Sequence, residues 1–179
     1  MTTDKPINVA NFITTFMDGA YSSMKRAFDG LTEEQLQKQP TADTNSMVWL
    51  AWHANRWQDK QSAQAVSEDE VWVSGGWNDK FGMPADRSGI GDTLEQVAEF
   101  KPSQELLWGY IGAAHQAFTR RVESMSAEDL EKNVDYIPGR GEPRPVWRTL
   151  MGACSDTFKH TGQIEYIRGM LTGKGWFPA

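Results

Sequence analysis

Only one cysteine, Cys154, occurs in the 179 residues, so no internal disulfide can staple this chain. It stands in a strongly apolar helical pattern, where a small buried hydrophobe is its expected role rather than a nucleophile. No stretch of about 18 consecutive apolar residues is present, and Met1 to Asn11 lacks the basic-then-apolar order of a signal peptide. A soluble, cytoplasmic protein with no membrane partner is expected. Cations are in the minority: 18 Lys and Arg against 24 Asp and Glu leave a net charge of -6. That balance argues against nucleic acid as a partner, because binding to phosphates rests on an excess of Lys and Arg. Convincing strand alternation and internal repeats are also missing, and histidine is restricted to three positions.

What is abundant is the aromatic and helix-forming content. Eight tryptophans must mostly serve as core or pocket wall, and 39% apolar residues are enough to build a core. Val9, Phe12, Ile13, Phe16, Met17, Ala20, Met24 and Phe28 recur at spacings of three and four, which predicts an amphipathic helix over Asn8 to Phe28 with Gly30 beyond its end. Thr32 to Gln35 has the form of a capping box and opens a short helix closed by Pro40. The polar run Thr41 to Ser46 caps a second long helix over Met47 to Val66, with Trp49, Leu50, Trp52, His53 and Trp57 as its stripe.

From Ser67 to Gly91 six glycine or proline signals alternate with Trp72, Trp77 and Phe81. Linkers are poor in large rings, so this connection is expected to fold back on the core and help wall a site. Thr93 to Gln96 caps another short helix, Pro102 and Ser103 open a third long helix to Met125, and Ser126 to Val134 reads as a short helix. Pro138, Gly139, Gly141, Pro143 and Pro145 then interrupt regular structure. The fourth long helix is expected over Pro145 to Leu171, with Trp147, Leu150, Met151, Cys154, Phe158, Ile164, Ile167 and Leu171 as its stripe and Gly173 as its stop. The fold class that follows is all-α: one domain over residues 1–179, a four-helix bundle with long decorated connections.

The histidines carry the chemistry. Asp156 and His160 lie four apart, about 40° apart in projection on one face of the fourth helix. His53 lies mid-helix among tryptophans. A spaced pair from one helix plus a third ligand from a facing helix is how a bundle builds a metal site in its core. Two imidazoles and one carboxylate suit zinc with an open position, and the same set serves nickel, iron or manganese. The plainer alternatives are a surface hydrogen bond for the Asp156 and His160 pair and a packed core residue for His53. His115 on the third helix competes as a ligand, without a partner at ligand spacing.

The segment from Ser46 to Asp59, SMVWLAWHANRWQD, resembles the second-helix signature of the DinB/YfiT-like superfamily, in which a Trp-Leu pair precedes a metal-binding His. His160 to Gly169, HTGQIEYIRG, is similar to its fourth-helix signature, and Gly76-Trp77, Phe81-Gly82 and Gly89-x-Gly91 look like its connection. The resemblance implies an up-down-down-up bundle, a homodimer, and a divalent metal on His53, Asp156 and His160. Asp156 departs from the His that many members have there; the mycothiol-dependent maleylpyruvate isomerase branch resembles this chain in using a carboxylate. The activities implied are transfer of a low-molecular-weight thiol to a small electrophilic substrate, hydrolysis of a small molecule, or metal and ligand binding without catalysis. Trp49 and Trp57 are the expected substrate-binding aromatics. Arg56 and Arg168, with Arg148, are the cations expected to receive an anionic thiol cosubstrate.

Overall fold

The computed structural model describes residues 8–135 and 142–173. The expected interruption at Pro138, Gly139 and Gly141 lies outside them. Four long helices dominate: α1 (Val9–Phe28), α3 (Met47–Val66), α7 (Gln104–Ser124) and α9 (Val146–Thr172). Between them lie the short helices α2 (Glu33–Gln37), α4 (Val71–Ser74), α5 (Trp77–Lys80), α6 (Leu94–Glu99) and α8 (Ala127–Glu131). No helix among the described residues is long and apolar enough to cross a membrane.

Helix starts follow the local chemistry. Asn8, Thr32, Ser46, Thr93, Ser103 and Ser126 each accept a hydrogen bond from the third residue beyond, and at Thr32, Thr93 and Ser126 the return bond completes a capping box. Gly173 at φ +69° ends α9 in the left-handed region, which glycine enters without a Cβ penalty. The short helix expected over Ser126 to Val134 is corrected at its end: α8 stops at Glu131, and Asn133–Val134 (β1) pairs antiparallel with Arg144–Pro145 (β2). Two residues a strand is too short for hydrophobic alternation to announce it.

Helix directions follow from which residues meet. Phe16 stacks on Phe158 while Arg168 reaches the carbonyls of Ala27 and Asp29, so α1 and α9 run parallel. Arg56 meets Tyr110 and Asp59 meets Arg121, so α3 and α7 also run parallel. Tyr21 meets both Trp108 and His115, and Phe28 meets Trp108, so α1 opposes α7. The order is up-down-down-up.

Two apolar clusters occupy opposite ends of the bundle. One gathers Met24, Phe28, Leu50, Trp52, Trp72, Tyr110, Ile111 and Ile164; the other gathers Ile13, Met17, Phe118, Val122, Leu150 and Cys154. Between them α3 buries Asn55, Arg56, Gln58, Asp59, Gln61 and Ser62, so it is enclosed nearly all round rather than along the expected aromatic stripe. Buried polar groups are tolerated only when paired. Asp59 accepts from the Val71 and Trp72 amides and from Arg121, and Gln58 donates to Asn55 and Thr157. Two expected stripes are corrected as well. Val9, Phe12 and Phe16 on α1, and Trp147, Met151 and Phe158 on α9, lie exposed, Phe12 at 68% and Phe158 at 54%. Helical periodicity identifies an apolar face without saying what covers it.

Candidate metal centre

His53 on α3 and Asp156 and His160 on α9 come together where the two antiparallel helices cross at mid-bundle. One ligand atom from each lies within 4.8 Å of the others. His53 Nε2 is 3.9 Å from Asp156 Oδ2, and His160 Nε2 is 3.5 Å from Asp156 Oδ1. The two imidazoles meet edge to face, with centroids 5.2 Å apart.

The outer nitrogens of both rings are occupied. His53 Nδ1 lies 2.6 Å from the Ser88 carbonyl, which can only accept, so Nδ1 carries the proton and Nε2 keeps its lone pair. His160 Nδ1 likewise donates to Gln163 Oε1 at 2.6 Å. Both rings therefore turn Nε2 toward the Asp156 carboxylate, the arrangement in which partners of the outer nitrogens orient metal-binding histidines. Burial pushes the His53 pKa down, against the pull of the Ser88 carbonyl and Asp156. Burial works against a charged His160 too, but Asp156 and Gln163 outweigh it and hold its pKa above the usual value.

Asp156 Oδ2 is buried and has no hydrogen-bond partner. A buried carboxylate oxygen without a donor is costly unless a cation or water completes it. The donor set of two imidazole nitrogens and one carboxylate fits a divalent ion with a coordination position left open.

The other expected residues divide. Trp49 is buried and stacks on His53 at 4.8 Å with 9° between the planes, while its indole N–H donates to Asp92. Trp57 is buried one turn beyond His53. Arg56 is fully buried and neutralised by Glu70 at 2.7 Å and Asp59 at 3.6 Å, with Nε donating to the Arg87 carbonyl. Arg168 donates to the carbonyls of Ala27 in the last turn of α1 and of Asp29, its C-cap residue, a capping role. Neither arginine offers a free charge to an anion at the centre. Arg148 lies exposed in the first turn of α9. His115 pairs with Asp18 and stacks on Tyr21, apart from the centre. Cys154 is buried, and burial pushes its thiol up to about 11.

The connection after α3 does wall the site, at Ser88 and Gly89. Gly89 has φ +87°, and a Cβ there would stand 2.6 Å from His53 Nδ1 and 2.9 Å from Trp49 Cζ2. Ser88 carries no motif that could have marked it; the only signal nearby is the glycine after it. A cavity of about 680 Å³ lies between the Pro40 to Asn45 segment and α9, lined by Leu50, Lys159, Tyr166 and Ile167; it reaches Gln163, the partner of His160 Nδ1, but none of the three candidate ligands lines it.

A sequence model of the DinB superfamily matches residues 17–164, a span that includes all three candidate ligands. The crystal structure of a conserved protein from Enterococcus faecalis is similar at TM-score 0.83 and 24% sequence identity, covering 94% of this chain and 99% of that one. No curated protein matches the chain.

Proposed function

The chain belongs to the DinB superfamily, and we propose that it is a single-domain, metal-dependent enzyme that transfers a low-molecular-weight thiol to a small electrophile. His53, Asp156 and His160 would hold the ion, zinc by preference, although nickel, iron or manganese suit the same donors. The observation that carries this reading is the convergence of two Nε2 atoms on a carboxylate whose buried Oδ2 lacks a hydrogen-bond partner. A divalent ion there supplies acidification of a bound thiol, so that the thiolate exists at neutral pH.

The protein's own residues divide the remaining work. Cys154 is buried and its pKa is raised, so it is a poor nucleophile, which favours one brought by a cosubstrate. Trp49 and Trp57 would keep water from the His53 side. Lys159, whose charge acts on His160, would take the anion-receiving role that Arg56 and Arg168 cannot fill.

A homodimer fits the exposed apolar face along α1 and α9, where Phe12, Phe16, Trp147, Met151 and Phe158 would be covered by the same face of a second copy.

Cobalt replacing zinc tests the chemistry. A sulfur-to-cobalt charge-transfer band on adding glutathione, mycothiol or bacillithiol is the expected result. Silence with all three at millimolar concentration would sink the thiol reading and leave hydrolysis or ligand binding.

A further inference from the structure

His53 draws its orientation from a loop that has no regular structure of its own. Between α5 and α6 the chain makes no helix or strand, yet the Ser88 carbonyl must stand within hydrogen-bond reach of Nδ1 for Nε2 to remain the free nitrogen. Something must hold residues 87–89 against α3.

Asp92 is placed to do so. Its side chain is 6% exposed. Oδ1 accepts from Arg87 Nε at 3.2 Å, and Oδ2 accepts from Arg87 Nη2 at 2.9 Å and from the Trp49 indole N–H at 3.0 Å. Its own amide donates to the Gly89 carbonyl at 3.2 Å, closing a turn over the glycine that faces the imidazole. One carboxylate thus joins the residue before Ser88 to the indole that stacks on His53. Arg56 reinforces the same stretch by donating to the Arg87 carbonyl. The imidazole is gripped at its edge by Ser88 and on its face by Trp49, and Gly89 leaves room for it.

We propose that Asp92 is the positioning residue of this centre: through Arg87 and Trp49 it closes the 87–92 loop on His53 and selects the tautomer that presents Nε2. The proposal rests on the metal reading only for its consequence in affinity; the tautomer is a property of the protein without metal. Carboxylates and carbonyls that orient ligand histidines affect metal binding by about 10- to 100-fold. Because Asp92 acts one step further out, a loss of about tenfold is expected in Asp92→Ala.

The test takes the metal-free full-length protein with 15N-labelled histidine, at a pH where His53 is neutral, and reads the ring-nitrogen shifts. The native protein should show His53 protonated at Nδ1 alone. Asp92→Ala should show exchange between the two tautomers, and cobalt titration should show about tenfold weaker binding. Arg87→Met, which removes one arm and leaves Trp49 bonded to Asp92, should fall between the two. It also decides the matter if Asp92→Ala fails to fold. A lower melting temperature with the His53 tautomer and cobalt affinity unchanged in both variants would overturn the proposal, since that is what a purely structural Asp92 would give. If the native protein binds no divalent ion but its tautomer responds as expected, the metal reading fails and the clamp stands.

Discussion

Replacing Asp59 with alanine should destabilise the protein more than any single aromatic contact at the site could. The carboxylate is fully buried. It accepts from the Val71 and Trp72 amides at 2.9 and 2.8 Å, from Arg121 Nη1 at 3.0 Å and from the Tyr110 hydroxyl at 3.3 Å, and it lies 3.6 Å from Arg56 Nη1. Breaking a buried ion pair from one side costs about 3–5 kcal/mol, because the remaining charge loses its partner without regaining water. Here each arginine keeps another carboxylate, Arg56 with Glu70 and Arg121 with Glu68, which pulls the value toward the lower end. The Trp72 amide, left without an acceptor, adds about 1–3 kcal/mol if it stays dry. The expected total is about 3–5 kcal/mol, since the two penalties overlap in one site. Urea unfolding followed by tryptophan fluorescence reads it as a shift in midpoint at constant slope. The variant should also be cleaved faster between Ser67 and Gly91, because Asp59 is what pins the start of α4. A loss under about 1 kcal/mol would mean that the charge network contributes little beyond what water could replace.

His53→Ala and His160→Ala should each purify without the roughly one equivalent of divalent metal expected in the native protein; full occupancy in both, by elemental analysis, would place the metal elsewhere. The Phe12→Glu, Phe158→Glu double variant should shift the proposed dimer to monomer in light scattering, and an unchanged mass would remove α1 and α9 from the interface. Cys154 should react with thiol reagents at pH 8 far more slowly than a free thiol, since burial pushes its pKa up to about 11; stoichiometric labelling within minutes would contradict the buried placement. Glu68 is held below its usual pKa chiefly by its hydrogen bond to Arg121. The stabilisation is therefore present above the unfolded-state value and lost as pH falls through the folded one, so Glu68→Gln should flatten the acid side of the stability profile. An identical slope below pH 5 in the two proteins would deny Glu68 that role.

Much of the architecture is legible in short-range chemistry. A Ser, Thr or Asn side chain caps the helix it precedes because its oxygen reaches an amide three residues on, and that reach needs no knowledge of the rest of the fold. The same holds for Asp156 and His160, whose spacing alone puts them on one face of α9. His53 is readable from the residues only as one candidate third ligand, with His115 competing, and the resemblance to a family signature singles it out, since its partners lie on another helix. Periodicity misjudged Phe12 and Phe158, because an apolar stripe looks the same whether the bundle or a second copy covers it. It misjudged α3 in the opposite sense: Arg56, Asp59 and Gln58 are polar by type, yet they are enclosed because each meets a partner supplied by α4, α7 or α9.

The sequence by itself determined the four long helices, the capped short helices α2, α6 and α8, and the pair on α9, all decided within a turn or two of the residue concerned, while the uncapped α4 and α5 lie in what reads as a connection. The tertiary structure alone decided that a carbonyl 35 residues from His53 sets its tautomer, that Arg56 faces Glu70 rather than a ligand, and that Arg168 caps α1. The physical reason is range. Backbone capping and helical spacing act through a few bonds, whereas the Ser88 carbonyl and the Asp92 carboxylate reach His53 and Trp49 only after two apolar clusters have brought distant segments into contact.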